Sequence, residues 1–288
     1  MDRLSVVVPL YNEEMNLKLF IPELIDLCKK NNFNVIFVND GSIDNTGIIL
    51  EEYNKYSFVE IITHKINKGY GAALKSGISK SDSKYTITID GDGQHYTEDI
   101  LKLLEIISLN DNDIVIGCRL NEKLSIKKIG KKIIKLFTKL IFKHSIYDLN
   151  SGMKIYKTEL VKNYLKYCPD NMPFSDIITL IFLYKKHSIS EAKIEIKKRK
   201  SGKSKISVNT AFETIFEIIN IATFFYPLRI FIPLSFKILF LSLIWSSQFI
   251  IKGEGLSTGS LLGILVALLI FLLGLISEQI SQIRKKDL

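Results

Sequence analysis

The chain has 288 residues and a formal net charge of +9, from 39 lysines and arginines against 30 acids. That length admits one sizeable domain with extra segments, and a mean hydropathy of +0.18 is too apolar for a protein living wholly in water. The positive balance points to anionic partners such as phosphates or a membrane surface, and three scattered cysteines, Cys28, Cys118 and Cys168, exclude a disulfide framework or zinc-type spacing.

Residues 5–9 form a β-branched run, and Tyr11-Asn12-Glu13-Glu14 leads into a helix expected to reach Lys30. This opening run is too short for a signal peptide, so a reducing cytoplasm is expected for the N-terminal part. Strands are predicted over 34–39, 59–64, 85–89 and 114–117, with helices over 44–55, 69–79 and 97–109 between them. That alternation predicts an α/β fold with a mostly parallel, Rossmann-like sheet and flanking helices. Residues 124–144 read as a basic amphipathic helix, with eight lysines from Lys123 to Lys143 and no acid among them. Such a face suits lipid headgroups or a phosphate substrate, although an ordinary solvated helix face has the same pattern. A strand over 153–156, a helix over 175–187 and a strand over 189–196 follow.

From Val208 the pattern changes. Val208, Phe212, Ile215, Phe216, Ile219 and Ala222 share one helical face, suiting a helix lying in a membrane interface. Residues 231–251 and 256–277 are apolar spans, the second without a charge and roughly 33 Å long as a helix. Arg229 precedes the first span and Arg284-Lys285-Lys286 follow the second, so the positive-inside tendency puts both ends in the cytoplasm. Three regions result: a cytoplasmic catalytic domain over 1–206, an interfacial helix over 207–228 and a transmembrane hairpin over 229–288.

Three acid-bearing loops follow predicted strand ends: Pro9-Leu10-Tyr11-Asn12-Glu13, Asp40-Gly41-Ser42 and Asp90-Gly91-Asp92-Gly93-Gln94-His95. In open α/β sheets ligands bind beyond the carboxyl ends of strands. An isolated Asp-Gly-Asp-Gly is as readily a turn with solvated acids, but three such loops on one edge imply a site. Residues two apart in an extended segment point to the same side, so Asp90 and Asp92 are expected to converge. Converging carboxylates repel unless a cation sits between them, and hard oxygen ligands suit Mg²⁺ or Mn²⁺. Two nucleotide motifs fail: Gly69-Tyr70-Gly71 lacks a third glycine, and Lys197 stands where a P-loop ending in Gly202-Lys203-Ser204 needs its first.

The ordered set VVVPLYNEE (6–14), VNDGSIDNTG (38–47), NKGYGAALKSGI (67–78) and IDGDGQH (89–95) resembles the family 2 glycosyltransferases of the GT-A fold. Arg119, DLNSGMKIY (148–156), RKSGKSK (199–205) and the C-terminal hairpin are similar to the polyprenyl-phosphate hexosyltransferases, the dolichyl- or undecaprenyl-phosphate mannosyl- and glucosyltransferases. The resemblance implies inverting transfer of a hexose from a UDP- or GDP-sugar to a membrane polyprenyl phosphate. It places Pro9, Tyr11, Glu13 and Asp40 around the base and ribose, and Asp90, Asp92 and Gln94 (the DXD region) on the metal and diphosphate. Arg119, Arg199 and Lys205 would meet phosphates, and Asp148 would orient the acceptor or act as base. Asn39 and Gly91 depart from the family's usual Asp and Ala, and base preference leans toward UDP. Partners implied are the nucleotide sugar, the lipid phosphate and the bilayer, with no nucleic acid and room for a homo-oligomer. The membrane is a cell or endoplasmic-reticulum-type membrane. Two other readings share these motifs: a membrane-anchored family 2 enzyme acting on a glycan or glycolipid hydroxyl, and a non-catalytic sugar-nucleotide-binding subunit.

Overall fold

The structure, a computed structural model, describes residues 4–119, 146–197 and 223–286. The chain divides into two compact units, Met1–Ile206 and Ser207–Leu288. The basic segment 124–144, the loop carrying Arg199 and Lys205, and most of the interfacial segment 207–228 lie outside the described residues.

In the first unit, seven strands form one sheet: β1 (Leu4–Leu10), β2 (Asn34–Asn39), β3 (Val59–Thr63), β4 (Tyr85–Thr88), β5 (Ile114–Arg119), β6 (Lys154–Lys157) and β7 (Ile189–Ile194). Their order is β3-β2-β1-β4-β6-β5-β7. All seven residues of β1 are buried, as a strand covered on both faces requires. Every neighbouring pair is parallel except those made by β6, which runs antiparallel to both β4 and β5.

Helices α1 (Glu14–Asn31), α2 (Thr46–Glu51), α3 (Tyr70–Lys80), α4 (Glu98–Leu109), α5 (Thr158–Tyr164) and α6 (Phe174–Tyr184) flank the sheet. In α1, Leu17, Phe20, Ile21, Leu24, Ile25 and Cys28 form the buried stripe. Asn32, left-handed at φ 54, ends that helix with its amide on the Cys28 carbonyl. Helix α2 is shorter than the 44–55 expected. The Asp44 carboxylate accepts the amides of Thr46 and Glu14, which keeps Asp44 ahead of the helix. After Glu51 the chain closes tight turns through Asn54 and Tyr56 instead of continuing.

The second unit contains α7 (Leu228–Ile251) and α8 (Thr258–Lys286), both long and apolar enough to cross a membrane. As helices they span about 36 and 43 Å, against roughly 30 Å of hydrocarbon. The second extends past the predicted end at Ser277, so its last turn carries Arg284, Lys285 and Lys286. Small residues line the seam between them: a Cβ at Gly263 would lie 2.0 Å from the Ser242 hydroxyl, and Ser246, Ser260 and Ala267 are buried. Close approach of this kind drives helix association where lipid removes the hydrophobic force. The outward faces present Phe236, Phe240, Leu243, Leu265 and Leu269.

Candidate active site

The carboxyl ends of β1, β2, β4 and β5 share one edge of the sheet because these strands run in the same direction. Antiparallel β6 starts from that edge, with Lys154 in register beside Thr88 of β4 and Ile116 of β5. The turn over 148–152 is thereby carried to the loop that follows β4. The Thr88 hydroxyl fastens it by donating to the Gly152 carbonyl at 2.9 Å.

Asp90 is the residue on which these elements meet. The Tyr70 hydroxyl, at the start of α3, donates to Asp90 Oδ1 at 2.8 Å, and His95 Nε2 lies 3.5 Å from Oδ2. Gly152 packs so closely that a Cβ there would sit 2.1 Å from Asp90 Oδ2. Burial works to raise the Asp90 carboxyl, but His95, Tyr70 and the charge of Arg119 outweigh it and hold the group below its ordinary value. Its side chain keeps 32 % of its surface open, so a ligand reaches it. Burial and the Asp90 charge push the Tyr70 phenol well above its ordinary value, so it stays a donor. Gly71 explains part of that placement. A Cβ there would collide with the Pro169 carbonyl at 2.3 Å, so only glycine lets the 169–171 loop close over the start of α3.

A second charge cluster adjoins Asp90. The Arg119 guanidinium, at the end of β5, forms a bidentate pair with Asp148: Nε to Oδ2 at 2.6 Å and a terminal nitrogen to Oδ1 at 2.9 Å. The Arg119 amide also donates to Asp148 Oδ2, and the guanidinium to the Asn150 carbonyl. Glu191 of β7 accepts the amides of Tyr147 and Asp148 and anchors the turn from below. Lys154 is fully buried, and burial pulls its ammonium below the ordinary lysine value. Asp176, in the first turn of α6, is raised by burial.

A family model described as Glycosyl transferase family 2 matches residues 5–165, more than half of the chain. The chain belongs to glycosyl transferase family 2. A second model, the GtrB C-terminal hairpin, matches residues 226–283. The undecaprenyl-phosphate 4-deoxy-4-formamido-L-arabinose transferase of Proteus mirabilis is 27 % identical over 80 % of this chain and 70 % of its own. A dolichyl-phosphate beta-glucosyltransferase of Trichomonas vaginalis is 27 % identical over 77 % of this chain and 73 % of its own. Glucosyl-3-phosphoglycerate synthase from Mycobacterium tuberculosis, solved with Mn²⁺, UDP-glucose and phosphoglyceric acid, has a TM-score of 0.60 at 13 % identity. It covers 76 % of this chain and 79 % of that one, which shows a shared GT-A fold.

Within this family 2 glycosyltransferase the expected site residues separate into groups. Asp90, Asp92 and Gln94 share one loop, but β4 ends at Thr88 and the loop is a turn rather than extended chain. The alternation argument for Asp90 and Asp92 therefore does not apply; Asp92 is placed by accepting the Gln94 amide at 3.1 Å. Pro9 is buried in β1, Tyr11 is exposed, and Glu13 precedes α1 with its amide on the Thr46 hydroxyl. Asp40 is buried and already accepts from His64 and the amides of Lys68 and Gly69. These bonds tie Asp40 to the 64–69 loop. Asp148 is likewise enclosed, with 1 % of its side chain exposed, and its oxygens hold Arg119. Arg199 and Lys205 lie outside the described residues, yet the chain just before them is clasped to the acidic loop. Lys197 donates its amide to the Gln94 carbonyl and its ammonium to Glu23, and Ile196 bridges His95.

Tyr70, Lys154, Asp176 and His95 are not among the site residues expected from the sequence. His95 had a signal, its place beside the acids; Lys154 had none, since a lysine in a short strand reads as solvent-facing. Among the described residues no three His, Cys, Asp or Glu side chains form a metal cage. The two acids and the amide oxygen of this one loop are hard oxygen donors, the ligand type that suits Mg²⁺ or Mn²⁺ completing its shell with substrate oxygens.

Proposed function

We propose that this glycosyltransferase moves a hexose from a nucleotide sugar to the phosphate of a membrane polyprenyl phosphate, inverting the anomeric centre. The observation that carries the reading is one chain joining the family 2 domain to a matched C-terminal hairpin, in the company of relatives named for polyprenyl-phosphate acceptors. Tyr11 and Glu13 border the base and ribose, while Asp90, Asp92 and Gln94 would hold Mg²⁺ or Mn²⁺ with the donor diphosphate. When bound, that cation supplies positive charge against the departing diphosphate.

The chain's own residues supply the rest. Tyr70 and His95 orient Asp90, and Asp148 aims Arg119 toward the phosphates. Arg199 and Lys205 add cations to the leaving and incoming phosphates. A phosphate oxygen attacks the anomeric carbon from the face opposite the leaving group, and the nucleoside diphosphate departs with the bonding electrons. A phosphomonoester with a second pKa of ~6 is already anionic at neutral pH, so no protein base is required. The catalytic unit faces the cytoplasm, where sugar nucleotides are, and the hairpin holds it at a cell or endoplasmic-reticulum-type membrane.

A second reading transfers the sugar to a hydroxyl of a glycan or glycolipid, since the family 2 match over residues 5–165 is common to both acceptor classes. Purified chain incubated with polyprenyl phosphate, MgCl₂ and labelled UDP- and GDP-sugars separates the two. Label in the lipid phosphate supports the first reading. Label only on an added glycolipid hydroxyl supports the second, and donor binding without transfer to either defeats both.

A further inference from the structure

Lys154 has none of its surface open to water. Burying an ammonium is costly unless each donor finds an acceptor, and an apolar residue of similar volume avoids the cost altogether. Its three donors are all used: Nζ bonds the Leu149 carbonyl at 2.7 Å, the Ser175 carbonyl at 2.5 Å and the Thr179 hydroxyl at 2.8 Å. The first acceptor belongs to the Asp148 turn and the other two to α6, Ser175 in its first turn and Thr179 at its middle. Charged and titratable groups face it from every side: Asp176 on α6, Asp148 on the turn, Arg119 on β5, Asp90 after β4, and Cys168 ahead of α6.

We propose that Lys154 is a positioning residue of the transferase site. Its ammonium pins the Asp148 turn to the start of α6, which aims the Arg119 guanidinium and seats Gly152 against Asp90. The two ends of that linkage are observed independently. Asp148 makes three bonds to Arg119, and the Tyr70 hydroxyl that donates to Asp90 also engages Ser175. Lys154 thus ties together Asp90 and Asp148 through backbone rather than by direct pairing. With Arg119 it sets positive charge beside the three carboxyls Asp90, Asp148 and Asp176.

The inference rests on the donor half of the proposed function, so its test contains no lipid. Binding of UDP and GDP in MgCl₂ to the full chain in detergent is measured from pH ~6.5 to ~9.5, below and through the range in which a lysine lowered from ~10.4 titrates. At neutral pH, Lys154→Met is expected to bind ~30-fold or more weakly, the loss typical of removing one partner from a buried charged hydrogen bond. Lys154→Arg keeps the charge and rescues most of that loss. As pH rises the wild type loses its ammonium and weakens, whereas Lys154→Arg, which does not deprotonate, holds its affinity. Wild-type binding by Lys154→Met, or a parallel alkaline decline in wild type and Lys154→Arg, overturns the proposal. If Lys154→Met does not fold, Thr179→Val serves: it removes one acceptor from the ammonium, lowers its pKa further and moves the decline to lower pH. An unmoved curve overturns the proposal. Unfolding midpoints without nucleotide form a separate arm. A folded-state value below the unfolded one means the unfolded chain binds the extra proton in that window, so wild-type stability gains with pH relative to Lys154→Arg. Identical pH dependence of the two midpoints overturns the buried-charge assignment even if the chain proves to bind neither nucleotide, an outcome that would defeat the donor reading by itself.

Discussion

At the scale of single residues, the site depends on who touches Asp90. Gly152 is the most demanding of these neighbours, since a Cβ at that position meets all three carboxyl atoms between 2.1 and 2.4 Å. Gly152→Ala must therefore push Asp90 away from Tyr70 and His95 or bend the turn. Overpacking of this kind costs about 1–3 kcal/mol, and turnover should fall by at least ~100-fold because a misplaced group loses the geometry that catalysis needs. Steady-state rates and thermal midpoints of the variant check this; wild-type turnover would show that Asp90 tolerates displacement. Asp92 makes the complementary prediction. Its side chain is partly exposed and accepts the Gln94 amide of its own loop, so Asp92→Asn should preserve the circular dichroism spectrum and abolish transfer. Activity that survives in this variant, or in excess EDTA, removes the cation from the reaction.

At the scale of elements, the acidic loop is held from two directions. Helix α3 supplies Tyr70, while the chain after β7 returns as a clasp: Lys197 bonds the Gln94 carbonyl, pairs with Glu23 of α1 and lies over the Tyr96 ring. Thr97 adds a bond to the same Glu23 carboxylate at 2.9 Å. Both partners of the ion pair are partly exposed, Glu23 at 39 % of its side chain, so the pair itself is worth only ~0–1 kcal/mol. Glu23→Ala should accordingly leave the unfolding midpoint nearly unchanged and yet lower kcat several-fold, because it loosens the backbone that presents Gln94. A proportional fall in stability and rate would make the clasp ordinary packing. Insertion of β6 between β4 and β5 is the other decision at this scale. It sets the direction of the Asp148 turn and, with it, the surroundings of Arg119.

At the scale of the whole molecule, the two long helices predict a membrane topology that can be read chemically. Cys28, Cys118 and Cys168 are buried, so introduced cysteines report without background. Glu254→Cys, between the two glycines of the hairpin loop, should react with an impermeant thiol reagent added outside intact cells. Ile283→Cys, exposed near the end of α8, should react only once the membrane is opened. The reverse pattern would place the catalytic unit away from cytoplasmic sugar nucleotides.

Hydrophobic period and turn chemistry alone determined most strand and helix positions in this chain, because facing inward or outward is a property of short windows. They also located the acid-bearing strand ends, and the ordered motifs identified the family and the apolar hairpin. Strand neighbours were a different matter. Nothing local in Lys-Ile-Tyr-Lys says that β6 runs antiparallel between β4 and β5, since pairing is settled by packing among segments far apart in sequence. The consequences fall on charged residues. Arg119 meets a carboxylate 29 positions away, and Asp40 is closed in by His64 and two amides from a later loop. Lys154 is buried because two strands and a helix surround it, although its sequence context is that of a surface lysine. A polar side chain's role depends on which donors, acceptors and waters remain once the chain has folded around it, and only the tertiary structure supplies that inventory.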